Sequence, residues 1–200
     1  MRTRLLVIIA MGFLIGAVAG AALLALSDKG SERAVMTSGK ALIGGPFKLI
    51  DQHGKTVTDR DFRGRFMLVF FGFTHCPDIC PAELQVMSAS LEALGPQGEE
   101  VVPIFITLDP ERDTPEVMTG YVKNFGSAFV GLTGSPEAIA EAAKAYRVAY
   151  SKFQEDESSS DYSIDHSALV YLMGKDGEFV THFAYGTPAE KMVEALRRYI

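Results

Sequence analysis

The sequence lacks an internal repeat, a glycine-rich phosphate loop and any excess of basic residues, and it has only two cysteines among its 200 residues. The missing repeat excludes a fibrous protein or a solenoid, and the length excludes a large multidomain assembly. No nucleotide-binding fingerprint is present. With 48% hydrophobic and 22% charged residues, the chain is too apolar to be disordered, so we expect it to fold around a core.

Charge is entirely absent from residues 5–26, an apolar run of 22 residues. A helix of that length spans about 33 Å, enough to cross a hydrocarbon core of about 30 Å. Arg2 and Arg4 precede the run, so the positive-inside rule predicts that the rest of the chain lies on the non-cytoplasmic, periplasmic side. A cleaved signal peptide is the alternative, because small residues at 17–21 resemble a cleavage site, and it also exports the domain.

The chain therefore divides into three predicted parts. Residues 1–27 form a membrane anchor or signal segment, residues 28–43 a flexible linker, and residues 44–200 a single folded domain. Residues 28–200 carry 17 basic and 25 acidic side chains, a net charge of −8. An acidic domain is a poor candidate for nucleic-acid binding, and we expect none.

Hydrophobic periodicity in residues 44–200 alternates between strand and helix patterns. The pattern predicts an N-terminal β-hairpin at 47–57, strands at 65–71, 101–108, 129–132 and 148–153, helices at 82–94, from 115 and at 136–147, an exposed loop at 154–161, a hairpin at 167–183 and a closing helix at 188–199. Proline directly after a cap residue, at Thr114 and Ser135, marks two helix starts. The order indicates an α/β fold with a thioredoxin-like mixed sheet and flanking helices.

The two cysteines, Cys76 and Cys80, lie between a predicted buried strand and a predicted helix. The start of a helix stabilises thiolates, so we expect both sulfurs to be readily deprotonated. A disulfide closing so short a loop would stabilise the fold little, which leaves a redox couple or a metal site. The spacing has three residues between the cysteines, whereas thioredoxin-type redox motifs have two.

A metal at this pair is most simply copper, because two soft thiolates suit Cu(I) and an added imidazole would also allow Cu(II). Of the four histidines, His166 is the best candidate. It directly precedes the strand predicted at 167–173, and in a thioredoxin-like sheet the loop entering that strand faces the cysteine turn. That loop normally carries a proline, but none occurs between Pro136 and Pro188. His53 is expected to be a solvated turn residue, His75 to be structural or to support a ligand without binding the metal, and His182 to be a packed or surface residue.

Several charged residues near the site have two possible roles. Asp109, Arg112 and Asp113 follow a predicted strand, so they either line the metal-binding loop or dock a partner, or they belong to an ion-paired loop in which Asp113 or Thr114 caps the next helix. Asp165 either orients His166 or stays exposed. Asp78, between the cysteines, is expected to be solvated.

Three segments resemble motifs of the Sco/SenC family of copper-binding, thioredoxin-fold proteins that help to assemble cytochrome c oxidase. They are FGFTHCPDICP at 71–81, LDPERDTP at 108–115 and DYSIDHS at 161–167, and the similarity runs from about residue 44 to the C-terminus. The resemblance implies that Cys76, Cys80 and His166 hold one copper ion, as Cu(I) or Cu(II).

The resemblance also implies a membrane-tethered chaperone that delivers copper to the copper A site of the oxidase. Its partners would be the oxidase subunit that carries this site and an upstream copper donor. The alternative is a thiol-disulfide oxidoreductase, in which Cys76 and Cys80 are a redox-active pair that reduces the copper-ligand cysteines of the target.

Overall fold

The computed structural model describes residues 42–154 and 162–200, in which strands and helices alternate along the chain. The strands are β1 (Lys48–Asp51), β2 (Thr56–Thr58), β3 (Phe66–Gly72), β4 (Val101–Thr107), β5 (Val130–Thr133), β6 (Tyr150–Phe153), β7 (Ser163–His166), β8 (Leu169–Met173) and β9 (Phe179–Ala184). The helices are α1 (Ile79–Leu94), α2 (Pro115–Val122), α3 (Pro136–Ala145) and α4 (Ala189–Leu196). Two 3₁₀ turns, Asp59–Phe62 and Gly95–Glu100, complete the pattern.

Three predicted segments fall largely or wholly outside this description, among them the linker predicted at 28–43, of which only residues 42 and 43 are described. The apolar run at 5–26 lies outside the described residues, as does most of the loop predicted at 154–161. Within 42–154 and 162–200, no helix combines the length and the apolar character needed to cross a bilayer.

Seven strands form one mixed sheet in the order β2-β1-β5-β4-β3-β8-β9. Strands β3, β4 and β5 run parallel, and the remaining neighbours pair antiparallel. Parallel neighbours require a crossover connection, which α1 supplies between β3 and β4 and α2 supplies between β4 and β5. The predicted thioredoxin-like mixed sheet, with its N-terminal β1–β2 hairpin, is confirmed.

The centre of the sheet is formed by β3 and β4, in which all seven positions of each strand are buried. This explains why both read as continuous apolar runs rather than alternating ones. Helix α1 packs against α4, and α2 packs against β5. Thr114 and Ser135 cap α2 and α3 by accepting backbone N–H groups of Val117 and Ala138, as the cap-then-proline pattern predicts.

The carboxyl ends of β3 and β4 meet at one edge of the sheet. Gly72 and Thr107 are register partners at the strand ends, and the Leu108 amide donates to the Gly72 carbonyl at 2.7 Å. The loops that follow these two strands therefore start side by side, which is where open α/β sheets place their sites.

The segment that carries His166 differs from the prediction. We expected a loop entering the strand at 167–173, but the structure places His166 at the end of β7, and β8 begins only at Leu169. Strands β6 and β7 form a separate two-stranded sheet in which Tyr150 pairs with His166. The segment is extended because its backbone pairs with that of β6. Its own residue pattern gives no sign of this pairing.

Candidate metal centre

Cys76 lies in the loop after β3, and Cys80 lies in the first turn of α1. The Cys76 amide donates to the Phe73 carbonyl at 3.2 Å, which folds the loop back toward the strand end. The Cys80 amide then donates to Cys76 Sγ at 3.4 Å. Both cysteines are free thiols in this structure. The start of α1 thus directs a backbone N–H at the Cys76 sulfur, as expected of a helix terminus.

The Cys80 side chain is completely buried against the end of β3. A Cβ atom at Gly72 would lie 2.7 Å from Cys80 Sγ and 3.0 Å from a ring carbon of Phe105. Both separations are shorter than van der Waals contact. The absence of a side chain at Gly72 is therefore what leaves space for the Cys80 sulfur.

His166 is the one predicted histidine that the structure brings to the cysteines. Its Nε2 lies 3.6 Å from Cys80 Sγ, and its ring contacts Phe70 and Phe73 edge-on, at centroid distances of 6.2 and 6.1 Å. Nδ1 lies 3.1 Å from the Ser167 carbonyl, which can only accept. In the neutral ring Nδ1 therefore carries the hydrogen, and the lone pair of Nε2 points toward the sulfur.

The other candidates lie elsewhere. His53 is exposed in the β1–β2 turn, and His182 is exposed on the edge strand β9. His75 is largely exposed, and its Nδ1 is 3.9 Å from an Asp113 carboxylate oxygen. Asp165 is exposed, so the acceptor that orients His166 is the Ser167 carbonyl. Asp78 is exposed just before α1, as predicted.

The three site residues meet through Cys80, which contacts both Cys76 and His166. Among residues 42–154 and 162–200, no group of three or more histidine, cysteine, aspartate or glutamate side chains is arranged closely enough as it stands to hold a metal ion. The structure thus shows a pair of contacts centred on Cys80. It does not show a closed ligand cage.

Asp113 joins the cysteine loop to the end of β4. Its fully buried carboxylate accepts the backbone N–H of Thr74 at 3.0 Å and the hydroxyl groups of Thr74 and Thr107. Of the two residues predicted as the cap of α2, Thr114 supplies it, and Asp113 instead holds the cysteine loop through Thr74. The contribution of Thr74 and Thr107 carries no signal in the sequence pattern.

Asp109 and Arg112 form an ion pair, as one of the two predicted roles required. The pair also reaches Tyr162, because the Tyr162 hydroxyl donates to Asp109 Oδ1 at 2.7 Å and Arg112 Nη1 donates to the Tyr162 carbonyl at 3.1 Å. We did not predict a role for Tyr162. Its only sequence signal is its place in the third family-like segment.

The two thiols have opposite protonation preferences. Hydrogen bonding from the Cys80 thiol, with smaller contributions from the backbone amides of Cys80 and Asp78, lowers the pKa of Cys76 to about 3 despite partial burial. Cys80 gives its hydrogen bond to that thiolate and is itself buried, so its pKa is raised. The prediction that both sulfurs deprotonate readily is therefore wrong for Cys80, because the pair retains one proton.

This asymmetry predicts how the thiols react with iodoacetamide, since the thiolate is the reactive form. A thiol with the ordinary pKa of 9.0 loses about tenfold in thiolate for each pH unit below that value. Cys76 should instead react at a nearly constant rate from pH 8 to pH 5, while buried Cys80 stays unmodified until the protein unfolds. Mass spectrometry of the alkylated peptides measures both rates. A tenfold fall per pH unit at Cys76 would contradict the assignment.

The comparisons with known proteins agree with this geometry. A profile of the family described as SCO1/SenC matches residues 35–200. The chain is 43% identical over 174 residues to the protein sco1 of Schizosaccharomyces pombe, an alignment that covers 86% of this chain and 66% of that protein. Its alignments with plant and human relatives span about half of their length.

Solved structures show the same fold. The crystal structure of Arabidopsis thaliana ScoI with copper bound is 43% identical, with a TM-score of 0.74, and the match covers 78% of this chain and 97% of that one. BsSco, described as having a disulfide switch and as a member of the Sco family of cytochrome c oxidase assembly proteins, is 25% identical, with a TM-score of 0.61 over 79% of this chain and 93% of that one. The fold, the cysteine turn with its facing histidine and the matched profile together show that this chain belongs to the SCO1/SenC family.

Proposed function

We propose that this protein binds one copper ion through Cys76, Cys80 and His166 and delivers it to the copper A site during assembly of cytochrome c oxidase. The observation that carries the proposal is the convergence of two sulfurs and an imidazole nitrogen at the carboxyl end of β3. The copper-bound Arabidopsis structure and the assembly role described for BsSco support it.

The donor set fits copper. Thiolates are the soft ligands that Cu(I) prefers, and a neutral imidazole extends the range to Cu(II). In a tetrahedral site with bond lengths like those of zinc, a sulfur and a nitrogen ligand lie about 3.5 Å apart. The Cys80 Sγ to His166 Nε2 distance of 3.6 Å matches this spacing. Cys76, which is only partly buried, has the freedom to turn toward the same point.

The chain's own groups would prepare the ligands. The lowered pKa of Cys76 favours its thiolate form, and the hydrogen bond from His166 Nδ1 to the Ser167 carbonyl keeps the Nε2 lone pair available. Cys80 is the protonated member of the pair, so copper binding releases its proton. Once copper is held by three protein ligands, a fourth position is open to an incoming thiolate of the acceptor.

The partners and the location follow from the same proposal. The acceptor is the oxidase subunit that carries the copper A site, and a separate donor supplies copper upstream. The apolar run at 5–26 would tether the protein to the membrane, with the copper-binding domain on the non-cytoplasmic side.

A second candidate function uses the same cysteines without metal. The partly exposed Cys76, whose low pKa favours the thiolate, lies beside the protonated thiol of Cys80. This is the arrangement of an attacking and a resolving thiol, and BsSco is described as having a disulfide switch. Cys76 would attack a target disulfide to form a mixed disulfide. Attack by Cys80, with loss of its proton, would then release the reduced target and leave a Cys76–Cys80 disulfide.

The deciding experiment titrates the reduced full-length protein, in detergent and without oxygen, with Cu(I) and separately with Cu(II). The copper proposal predicts one ion per chain, sulfur-to-copper charge-transfer absorption in the Cu(II) form, and transfer of the Cu(I) form to a separately purified apo copper A domain. A Cys76→Ser, Cys80→Ser double variant is the matched control. If the protein instead holds no metal and accumulates the Cys76–Cys80 disulfide, the oxidoreductase function is favoured.

A further inference from the structure

His166 belongs to a part of the structure that is outside the main sheet. Strand β7 pairs with β6 alone among the strands of the described residues, and these two strands form their own sheet. The position of the His166 ring relative to the cysteines therefore does not follow from the main-sheet register. It depends on the pairing with β6, on the buried Ile164 side chain in the middle of β7 and on the contacts of Tyr162 just before the strand.

At the beginning of β7, Tyr162 is held in three ways. Its hydroxyl donates to Asp109 Oδ1 at 2.7 Å, its carbonyl accepts from Arg112 Nη1 at 3.1 Å, and the Arg112 guanidinium carbon lies 3.8 Å from the centre of its ring. Arg112 Nε also donates to Asp109 Oδ2, so each of the three residues contacts the other two. We call these three residues the Asp109–Arg112–Tyr162 cluster.

The side of the cluster that faces the protein interior is buried. Asp109 is completely buried, and Arg112 keeps 23% of its side chain exposed. A planar guanidinium that makes two directed hydrogen bonds while stacking on an aromatic ring is held in one orientation, which a lysine cannot reproduce. This is a rigid attachment, unlike a solvent-exposed ion pair.

The cluster also connects to the cysteine loop. The Asp109 amide donates to Thr107 Oγ1 at 2.8 Å, and the Thr107 hydroxyl donates to Asp113, which in turn holds Thr74. The Arg112 guanidinium carbon lies 6.0 Å from the Phe73 ring, which contacts the His166 ring edge-on. One continuous set of contacts thus runs from the start of the histidine strand to the residue two positions before Cys76.

We propose that Arg112 and Tyr162 are positioning residues that hold the His166 strand at the correct distance from the cysteine pair, and so determine how tightly the site binds Cu(II). The inference rests on the proposed copper function, since it concerns the same site. Neither residue contacts copper in this proposal. Both act through the placement of the His166 ring.

The test compares Tyr162→Phe and Arg112→Lys with the wild-type full-length protein in separate Cu(I) and Cu(II) titrations. Loss of a contact that orients a metal-binding histidine lowers metal affinity by about 10–100-fold. We expect that loss for Cu(II), with a weakened Cu(II) charge-transfer band, and less than a threefold change for Cu(I), which the two sulfurs hold. Arg63→Lys is the matched control, because Arg63 forms the same kind of pair with Asp59 away from the site.

A second measurement needs no copper. In the reduced apo protein, the ring protons of His166 should be shifted by the Phe70 and Phe73 rings, and this shift should shrink in both variants but not in Arg63→Lys. Equal losses of Cu(I) and Cu(II) affinity together with a lower Tm would show that the cluster only stabilises the fold. Unchanged Cu(II) affinity or unchanged His166 signals would overturn the inference. A wild-type protein that binds no copper would instead refute the proposed function, and the apo signals would still decide whether the cluster positions His166.

Discussion

Replacing His166 with alanine should separate the two copper oxidation states. The variant keeps both sulfurs of the proposed site, so Cu(I) affinity should change little, whereas Cu(II) would lose the one imidazole nitrogen of that site. We expect Cu(II) affinity to fall by more than the about 10–100-fold that loss of a neighbouring hydrogen bond produces. Paramagnetic resonance and visible absorption of the Cu(II) complex, with a competition assay for Cu(I), measure the two effects.

His182→Ala is the matched control for this substitution. His182 is an exposed histidine on the edge strand β9, stacked on Phe179 at a centroid distance of 6.2 Å, and it has no contact with the cysteines. Its removal should leave both copper affinities at wild-type values. Equal weakening of Cu(I) and Cu(II) in His166→Ala would refute the division of roles between sulfur and nitrogen.

Replacing Asp113 with alanine should destabilise the fold more than any other single change to the site's surroundings. The substitution leaves the amide and hydroxyl of partly buried Thr74 and the hydroxyl of fully buried Thr107 without their acceptor. Each unsatisfied buried donor costs about 1–3 kcal/mol, so we expect a loss of about 3–5 kcal/mol in the free energy of unfolding. Urea denaturation followed by circular dichroism measures it, provided that the m value is unchanged.

Two further variants test whether burial of the unpaired donors causes that loss in the free energy of unfolding. Asp113→Asn keeps one carbonyl oxygen in place and should recover part of the stability. Asp51→Ala removes a carboxylate that also accepts two backbone amides, those of His53 and Lys55, but in an exposed turn where water replaces it. Its effect should stay near or below about 1 kcal/mol. Similar losses for Asp113→Ala and Asp51→Ala would show that burial is not the source of the effect.

The fold was largely predictable because its strongest signals are local. Continuous apolar runs marked β3 and β4, and cap residues followed by proline marked α2 and α3. The cysteine turn was predictable for the same reason, since it joins a buried strand to a helix. The nature of β7 was not, because its extended form depends on backbone bonds to β6.

The finer properties of the site depend on contacts between distant residues. The pKa values of Cys76 and Cys80 shift in opposite directions because the two sulfurs share one proton and because Cys80 is buried beside Gly72. The cysteine spacing alone predicted two equivalent thiols. Tyr162 reaches Asp109 across 53 positions of sequence, so no local pattern could reveal the contact. These properties could not be predicted from the sequence, because each depends on contacts between residues of different strands, helices and loops.

The separate β6–β7 sheet bears on the rate at which copper leaves the protein. The two sulfurs are attached to the start of α1 and the end of β3, whereas the imidazole is attached to a hairpin whose strands pair only with each other in the described part of the chain. Displacing these two strands would break the contacts of the Asp109–Arg112–Tyr162 cluster but no hydrogen bond of the seven-stranded sheet. In the proposed copper delivery, the nitrogen ligand would therefore leave first, and the two sulfurs would hold the ion until the ligands of the acceptor replace them.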